Sequence, residues 1–111
     1  MTNTTADERV EVTRNDELGR FDITVNGEAA GFTEFVDMDG LRVFPHTELD
    51  DRFSGRGLSS TLVAAALDDT RRADLEVVPV CPLVLHYLEK RELPFTRPTP
   101  SILNSLGRTR D

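Results

Sequence analysis

The stretch DRFSGRGLSSTLVAAALDDT, residues 51–70, joins a glycine-containing loop to a helical pattern, and this junction decides the fold. Two glycines, Gly55 and Gly57, flank an arginine, and two serines follow directly. Apolar residues then recur at the three- and four-residue spacing of a helix; they are Leu58, Leu62, Val63, Ala66 and Leu67. The pattern predicts a helix over residues 57–72 whose first turn directly follows the loop.

The loop has two interpretations. Main-chain binding of a phosphate requires free N–H donors at a helix N-terminus and no side chains in the way. Gly55 and Gly57 allow close approach of the backbone, the first helical turn leaves its N–H groups unpaired, and two serines add hydroxyl groups. The alternative is a simple turn with flexible glycines and capping serines. The lysine of a P-loop and the three glycines of a dinucleotide fingerprint are missing.

Composition limits the class of protein. The 111 residues suffice for one domain with a single hydrophobic core. A net charge of −7 with scattered basic residues argues against a nucleic-acid-binding protein. The longest apolar run, residues 62–67, is too short to cross a membrane, and the polar N-terminus lacks the apolar core of a secretory signal. We therefore expect a cytoplasmic protein.

Metal binding is not expected either. The chain has one cysteine and two histidines, so a structural zinc site would need carboxylates to complete it. The single cysteine also excludes an internal disulfide.

The first half of the chain has the alternation of antiparallel strands. Residues 21–25, FDITV, alternate apolar and polar, and Asn26 and Gly27 follow as a strong hairpin signal. The return strand is predicted over residues 28–36, and a second tight turn follows at residues 37–40. Three or four strands in a meander are therefore expected.

The next strand is predicted over residues 41–49. Alternation places Phe44 and His46 on the same face of it. Pro45 lies between them and cannot donate a ladder hydrogen bond, so it indicates either an edge strand or a place where two strands part.

A strand and a second helix follow the first helix. Residues 75–81, LEVVPVC, are nearly all apolar, as in a strand buried on both faces. Pro82 suits the first turn of a helix. A crossover through the first helix would make strands 41–49 and 75–81 parallel neighbours. The predicted fold class is α+β, or mixed α/β, with a lead-in over residues 1–8 and an irregular tail over residues 92–111.

Five motifs follow one another along the chain, and their order is more informative than any single motif. They are His46-Thr47-Glu48, the loop at residues 53–60, the apolar helix at residues 62–67, Cys81-Pro82, and Tyr87. Together they resemble the Gcn5-related N-acetyltransferases, and most of all their small single-domain YjdJ-type members. The resemblance covers residues 9–91. Two positions depart from the family pattern. Ser54 stands where the family has arginine or glutamine, and Ser59 stands where it has glycine or alanine.

The resemblance implies a strand meander followed by strand, helix, strand and helix. It also implies a central sheet that splays open between strands 41–49 and 75–81. The pantetheine arm of acetyl-CoA, or of coenzyme A, would lie in that gap as co-substrate. The cofactor-binding residues that it implies are Ser54, Gly55, Arg56, Gly57, Leu58, Ser59 and Ser60.

Four further residues are candidates for the chemistry. Tyr87 is the candidate acid, although its place on an apolar stripe also fits a core residue. Cys81 is an acid, a nucleophile or an inert buried thiol. Glu48 is a candidate base, or a solvated carboxylate. His46 is a candidate for substrate contact, because alternation places it on the same strand face as Glu48.

The function that follows is transfer of an acetyl group from acetyl-CoA to an amine by direct aminolysis. The acceptor is expected to be a small amine or an exposed amine of a protein. Two alternatives stay open. One is a non-catalytic module that binds coenzyme A or a protein, and the other is a transferase or thioesterase with an acyl-enzyme at Cys81.

Overall fold

The computed structural model describes residues 9–53 and 57–104 of the chain. The predicted lead-in at residues 1–8, the loop residues 54–56 and the last seven residues lie outside the described residues. In chain order the elements are β1 (Val10–Asn15), β2 (Arg20–Val25), β3 (Glu28–Glu34), β4 (Val36–Met38), β5 (Leu41–Phe44), β6 (Thr47–Leu49), a 3-10 turn (Asp51–Phe53), α1 (Leu58–Arg72), β7 (Glu76–Pro79) and α2 (Pro82–Lys90).

Two sheets share these strands. The larger is antiparallel with the order β1-β2-β3-β6, and the smaller has the order β4-β5-β7. In the smaller sheet β4 and β5 are antiparallel, whereas β5 and β7 are parallel. Helix α1 connects the last strand of the larger sheet to β7. The α+β class and the parallel pairing predicted from the sequence are therefore confirmed.

The strand predicted over residues 41–49 is divided at Pro45 and His46. Before the break, β5 pairs with β7; after it, β6 pairs with β3. The prediction that Phe44 and His46 share a face is wrong, because the break interrupts the alternation. Phe44 is fully buried in the main core, while the His46 side chain is 38% exposed and lies beside Phe32. Pro45 thus marks the place where two strands part.

A second break divides the predicted strand 28–36 at Phe35. The Phe35 N–H donates to the carbonyl of Gly19 at 2.9 Å, one position beyond the last register pair of β2 and β3, Arg20 with Glu34. The chain then continues as β4 in the smaller sheet. Both central segments therefore leave one sheet and enter the other.

The main core lies between the larger sheet and the two helices. The predicted stripe of α1 is buried as expected, and it packs against inward residues of β2 and against α2. The α2 stripe is also confirmed, because Val84 and Leu88 are buried while Leu83 and Tyr87 are half-buried. Among the described residues, no helix is long and apolar enough to cross a membrane.

A smaller apolar cluster covers the other face of the smaller sheet. Val43 and Val78 are fully buried there, and Ile102 packs onto them with 8% of its surface exposed. Residues 100–104 are helical. Farther back, the Thr96 N–H donates to the carbonyl of Val77 at 2.7 Å. The described part of the segment after residue 92 is thus packed against β7 and the smaller sheet.

A buried arginine connects the smaller sheet to α1. The Arg42 side chain is 2% exposed and donates two hydrogen bonds to Asp37, at 2.7 and 2.8 Å, and one to Asp69 at 2.8 Å. Its guanidinium also lies 4.7 Å from the ring centre of Phe35. The hydrogen bonds with Asp37 raise the pKa of Arg42 above its usual value, despite the opposing effect of burial.

Candidate functional site

The central sheet opens where β5 ends. The Phe44 carbonyl accepts from two successive N–H groups, those of Val80 at 3.1 Å and Cys81 at 2.9 Å. Beyond this point β6 pairs with β3 in the larger sheet, whereas β7 belongs to the smaller sheet. The predicted splay therefore lies between β6 on one side and the junction of β7 with α2 on the other. Cys81 is the residue at that junction, because it is the N-cap of α2.

Side-chain hydroxyl groups connect Cys81 to the larger sheet. The Cys81 Sγ atom lies 3.3 Å from Thr47 Oγ1, and Thr47 Oγ1 lies 2.8 Å from Thr33 Oγ1. Thr33 is fully buried and Cys81 is 5% exposed. Thr33 and Thr47 are direct partners in the register of β3 and β6. The three side chains form a partly buried chain of hydrogen bonds where the two sheets part, with Thr47 half-buried between the two buried residues.

Glu48 of β6 and His46, the residue directly before the strand, lie on the face opposite Thr47. The Nε2 atom of His46 is 2.8 Å from Glu48 Oε2, and the His46 and Phe32 ring centres are 6.1 Å apart. The structure confirms that His46 and Glu48 share a face, and it leaves 62% of the Glu48 side chain exposed. The residue of β6 that contacts Cys81 is Thr47 rather than Glu48. A role for Glu48 as base stays a prediction, and it would act from the outer face.

Tyr87 lies on α2 with its ring half-buried against the main core. The Arg91 guanidinium lies 4.2 Å from the ring centre. This position is compatible with both interpretations of Tyr87, as an acid and as a core residue. His86 is exposed, as its place on the polar side of the helix predicts.

Four of the seven predicted cofactor-binding residues are described. Gly57 is the N-cap of α1 and has a φ of 73°, a left-handed conformation that favours glycine. Leu58 is buried, whereas Ser59 and Ser60 are half-buried. The N–H groups of this first turn have no acceptor within the helix. Ser54, Gly55 and Arg56 lie outside the described residues.

A cleft of about 130 Å³ adjoins this helix start. Its walls come from the first turn of α1 and from α2, and its lining residues are Ser59, Ser60, Leu83, His86, Tyr87, Lys90 and Arg91. Lys90 and Arg91 are two cations that line the same cleft as Ser59 and Ser60 of the first turn of α1. The sequence prediction missed them because they lie about thirty positions from the loop, and the fold alone brings them near it.

Other features of the surface lie away from these residues. A larger apolar groove of about 640 Å³ lies at the opposite end of α1, between Arg71 and Phe95, and contains none of the predicted site residues. Among the described residues, no group of three or more histidine, cysteine or acidic side chains is arranged to hold a metal ion.

Residues 20–95 match the family described as GCN5-related N-acetyl-transferase. The match spans more than half of the chain, and the chain belongs to this family. The YjdJ-type subgroup stays a prediction.

The chain is also similar to a solved structure, that of Ard1 from Thermoplasma volcanium, with 24% sequence identity and a TM-score of 0.49. That similarity covers 53% of this chain and 41% of the other, so it spans less than half the length of the Ard1 chain. A comparison with curated proteins gave no match.

Proposed function

We propose that the chain is an acyl-CoA-dependent N-acyltransferase that uses acetyl-CoA and transfers the acetyl group directly to an amine. The observation that carries this proposal is that β6 and β7 belong to different sheets beyond Phe44, in the same fold in which α1 begins at Gly57. Membership in the N-acetyltransferase family supports it.

The diphosphate of the coenzyme would bind at the first turn of α1. The N–H groups of Leu58, Ser59 and Ser60 would donate to its oxygens, and the helix dipole favours the negative charge. Lys90 and Arg91 face the same cleft and would add charge-assisted hydrogen bonds. These two cations compensate for Ser54, which stands where the family has a longer polar side chain.

The chemistry requires attack by the amine nitrogen on the thioester carbonyl carbon. The C–S bond then breaks, the amine loses a proton, and the departing sulfur of coenzyme A gains one. Cys81 and Tyr87 are the candidate acids for that sulfur. The acceptor would approach from the outer face of β6, where Glu48 and its partner His46 can take the proton of the amine. The acceptor would be a small amine or an exposed protein amine.

Titration with two ligands tests the cofactor site. Acetyl-CoA carries the diphosphate, whereas acetyl-pantetheine has the same thioester without it. Amide shifts at residues 58–60 should be large with acetyl-CoA and small with acetyl-pantetheine. Lys90→Gln should weaken acetyl-CoA binding about fivefold, equivalent to about 1 kcal/mol, because one charged hydrogen bond is lost. Arg72→Gln, which removes an exposed cation at the other end of α1, should have no effect.

Two results would contradict the assignment. One is a set of amide shifts centred away from the start of α1, and the other is an equal loss of affinity in Lys90→Gln and Arg72→Gln. Binding without turnover in the presence of a panel of amines would favour the non-catalytic module.

A covalent route through Cys81 is the second candidate, because the thiol lies at the opening of the sheet. Labelling with radioactive acetyl-CoA, followed by denaturation, distinguishes it from direct transfer. Label that stays on the protein and is lost in Cys81→Ala would support the acyl-enzyme. Unchanged turnover of Cys81→Ala would exclude that route and the role of Cys81 as acid together.

A further inference from the structure

We propose that Thr47 is the positioning residue of the Cys81 thiol, and that Thr33 behind it completes a two-hydroxyl chain that serves this sulfur in both of its protonation states. The inference rests on the proposed acetyl transfer with Cys81 as the acid. It adds two residues, Thr47 and Thr33, to which the sequence analysis assigns no role.

The chain can reverse its direction. A hydroxyl group both donates and accepts hydrogen bonds. With a neutral thiol, Cys81 donates to Thr47 Oγ1 and Thr47 donates to Thr33 Oγ1. With a thiolate, Thr33 donates to Thr47, and Thr47 donates to the sulfur. The distances of 3.3 and 2.8 Å suit either direction, so the change requires only rotation of two hydroxyl hydrogens.

This reversal matches the needs of an acid in the reaction. When the S–H bond of Cys81 breaks, its proton forms the S–H bond of the departing coenzyme, and Cys81 becomes a thiolate. Thr47 then donates to that new charge. The proton released by the attacking amine later returns to Cys81, so the enzyme is restored and no other reactant is needed.

Burial makes the hydroxyl groups hard to replace. Cys81 is 5% exposed and Thr33 is fully buried, so water has little access to either. A thiolate there depends on fixed donors for its stability. The backbone holds the sulfur in place, because Cys81 N donates to Phe44 O at 2.9 Å and Leu85 N donates to Cys81 O at 3.1 Å.

Other titratable groups on the packed elements are oriented differently. Glu48 of β6 pairs with His46, which directly precedes the strand, on the outer face, and the Tyr87 ring of α2 packs against the Arg91 guanidinium. Within residues 9–53 and 57–104, the side-chain hydrogen bond of Cys81 Sγ is the one to Thr47. Thr47 is therefore the residue whose removal should act most directly on the sulfur.

The experiment is a titration of the thiolate by its ultraviolet absorbance. The chain has one cysteine, so the signal reports Cys81 alone once a Cys81→Ser blank removes the contribution of Tyr87. Thr47→Val keeps the shape of the side chain and removes the hydroxyl group. It should move the midpoint upward by about one pH unit, the equivalent of one hydrogen bond to a charged group. Thr47→Ser keeps the hydroxyl group and should restore most of the wild-type midpoint.

Thr33→Val provides a second, independent variant. It leaves Thr47 in place but removes the donor behind it, so the midpoint should shift upward by a smaller amount. If Thr47→Val does not fold, this variant and Thr47→Ser still decide the question. Equal midpoints in wild type, Thr47→Val and Thr33→Val would overturn the proposal, and so would equal shifts in Thr47→Val and Thr47→Ser.

The titration needs no coenzyme, so it separates this proposal from the proposed function. A shift in Thr47→Val in a protein that does not turn over acetyl-CoA would support the positioning role and contradict the acetyltransferase. Normal turnover of acetyl-CoA with no shift in Thr47→Val would support the acetyltransferase and contradict the positioning role.

Discussion

Arg42 Nη1 donates a 2.8 Å hydrogen bond to Asp69 Oδ2, and this contact joins strand β5 to helix α1. The same carboxylate oxygen accepts a 3.0 Å hydrogen bond from Arg14 of β1. Asp69 therefore connects both sheets to the helix whose first turn lies at the proposed coenzyme site. The two arginines differ in exposure, because the Arg42 side chain is 2% exposed and that of Arg14 is 40% exposed.

Arg42→Met should lower the free energy of unfolding by about 3 kcal/mol, as measured by urea denaturation. The change removes three charge-assisted hydrogen bonds and leaves two carboxylates without their shared partner. Arg72→Gln is the matched control, since it breaks an exposed 2.8 Å pair with Asp68 and should cost about 0.5 kcal/mol or less. An Arg42→Met variant as stable as wild type would mean that the free-energy cost of burying the Arg42 charge equals the stabilisation from its hydrogen bonds.

Gly31→Ala should separate β3 from β6. A Cβ atom at residue 31 would lie 2.4 Å from the Glu48 carbonyl oxygen and 3.1 Å from Leu49 Cα, and both belong to the backbone of β6. We expect a loss of about 2 kcal/mol in the free energy of unfolding, together with a changed amide shift at Thr47. Ala29→Ser, at an exposed position of the same strand, should stay within about 0.5 kcal/mol. Equal stability of the two variants would contradict the close approach.

The ion pair of Asp50 and Arg52 predicts that the stability of the folded protein depends on pH. The side-chain hydrogen bond from Arg52, and then the one from its backbone N–H, lower the pKa of Asp50 below its ordinary 3.8. A lowered folded-state pKa means that the stabilisation is complete above pH 3.8 and is lost as the pH falls through the folded-state value. Titration of the Asp50 carboxyl carbon by NMR should give a midpoint below 3.8, and Arg52→Gln should move it upward. Equal Asp50 midpoints in wild type and in Arg52→Gln would show that Arg52 does not lower the pKa of Asp50.

Tyr87→Phe distinguishes a catalytic hydroxyl group from a core side chain. The ring packs against the main core and beneath Arg91, and phenylalanine keeps both contacts. We therefore expect an unfolding free energy within about 1 kcal/mol of wild type and a kcat reduced about 100-fold. Arg91→Gln removes the cation that packs on the ring and keeps the hydroxyl group. Comparison of the two variants therefore separates the effect of the hydroxyl group from the effect of the ring contact. Unchanged kcat in Tyr87→Phe would assign Tyr87 to packing alone.

Local sequence patterns predicted the elements that are stabilised locally. The apolar spacing of α1, the hairpin at Asn26 and Gly27, and Pro82 at the start of α2 correspond to the structure. Each of them depends on residues within one or two turns of chain, and for that reason periodicity and turn chemistry suffice.

The parts that could not be predicted depend on contacts between distant segments. Pro45 indicated a break, but the partner of each half depends on which strand lies nearby in space. The contact of Thr47 with Cys81 joins residues 34 positions apart. Alternation along an unbroken strand does not predict this contact, because the break at Pro45 changes which side chain of β6 faces Cys81. Lys90 and Arg91 likewise appear as ordinary helix-end cations until the helices pack together.

The division of one strand at Pro45 also has a consequence for the integrity of the molecule. Residues up to Phe53 include both strand breaks, at Phe35 and at Pro45, whereas the facing wall, β7 and Cys81, comes from residues 76–81. A proteolytic cut within α1 would therefore leave the larger fragment of β-structure with an open side and no thiol. The proposed coenzyme site needs residues from both sides of α1, so neither fragment alone contains all of it.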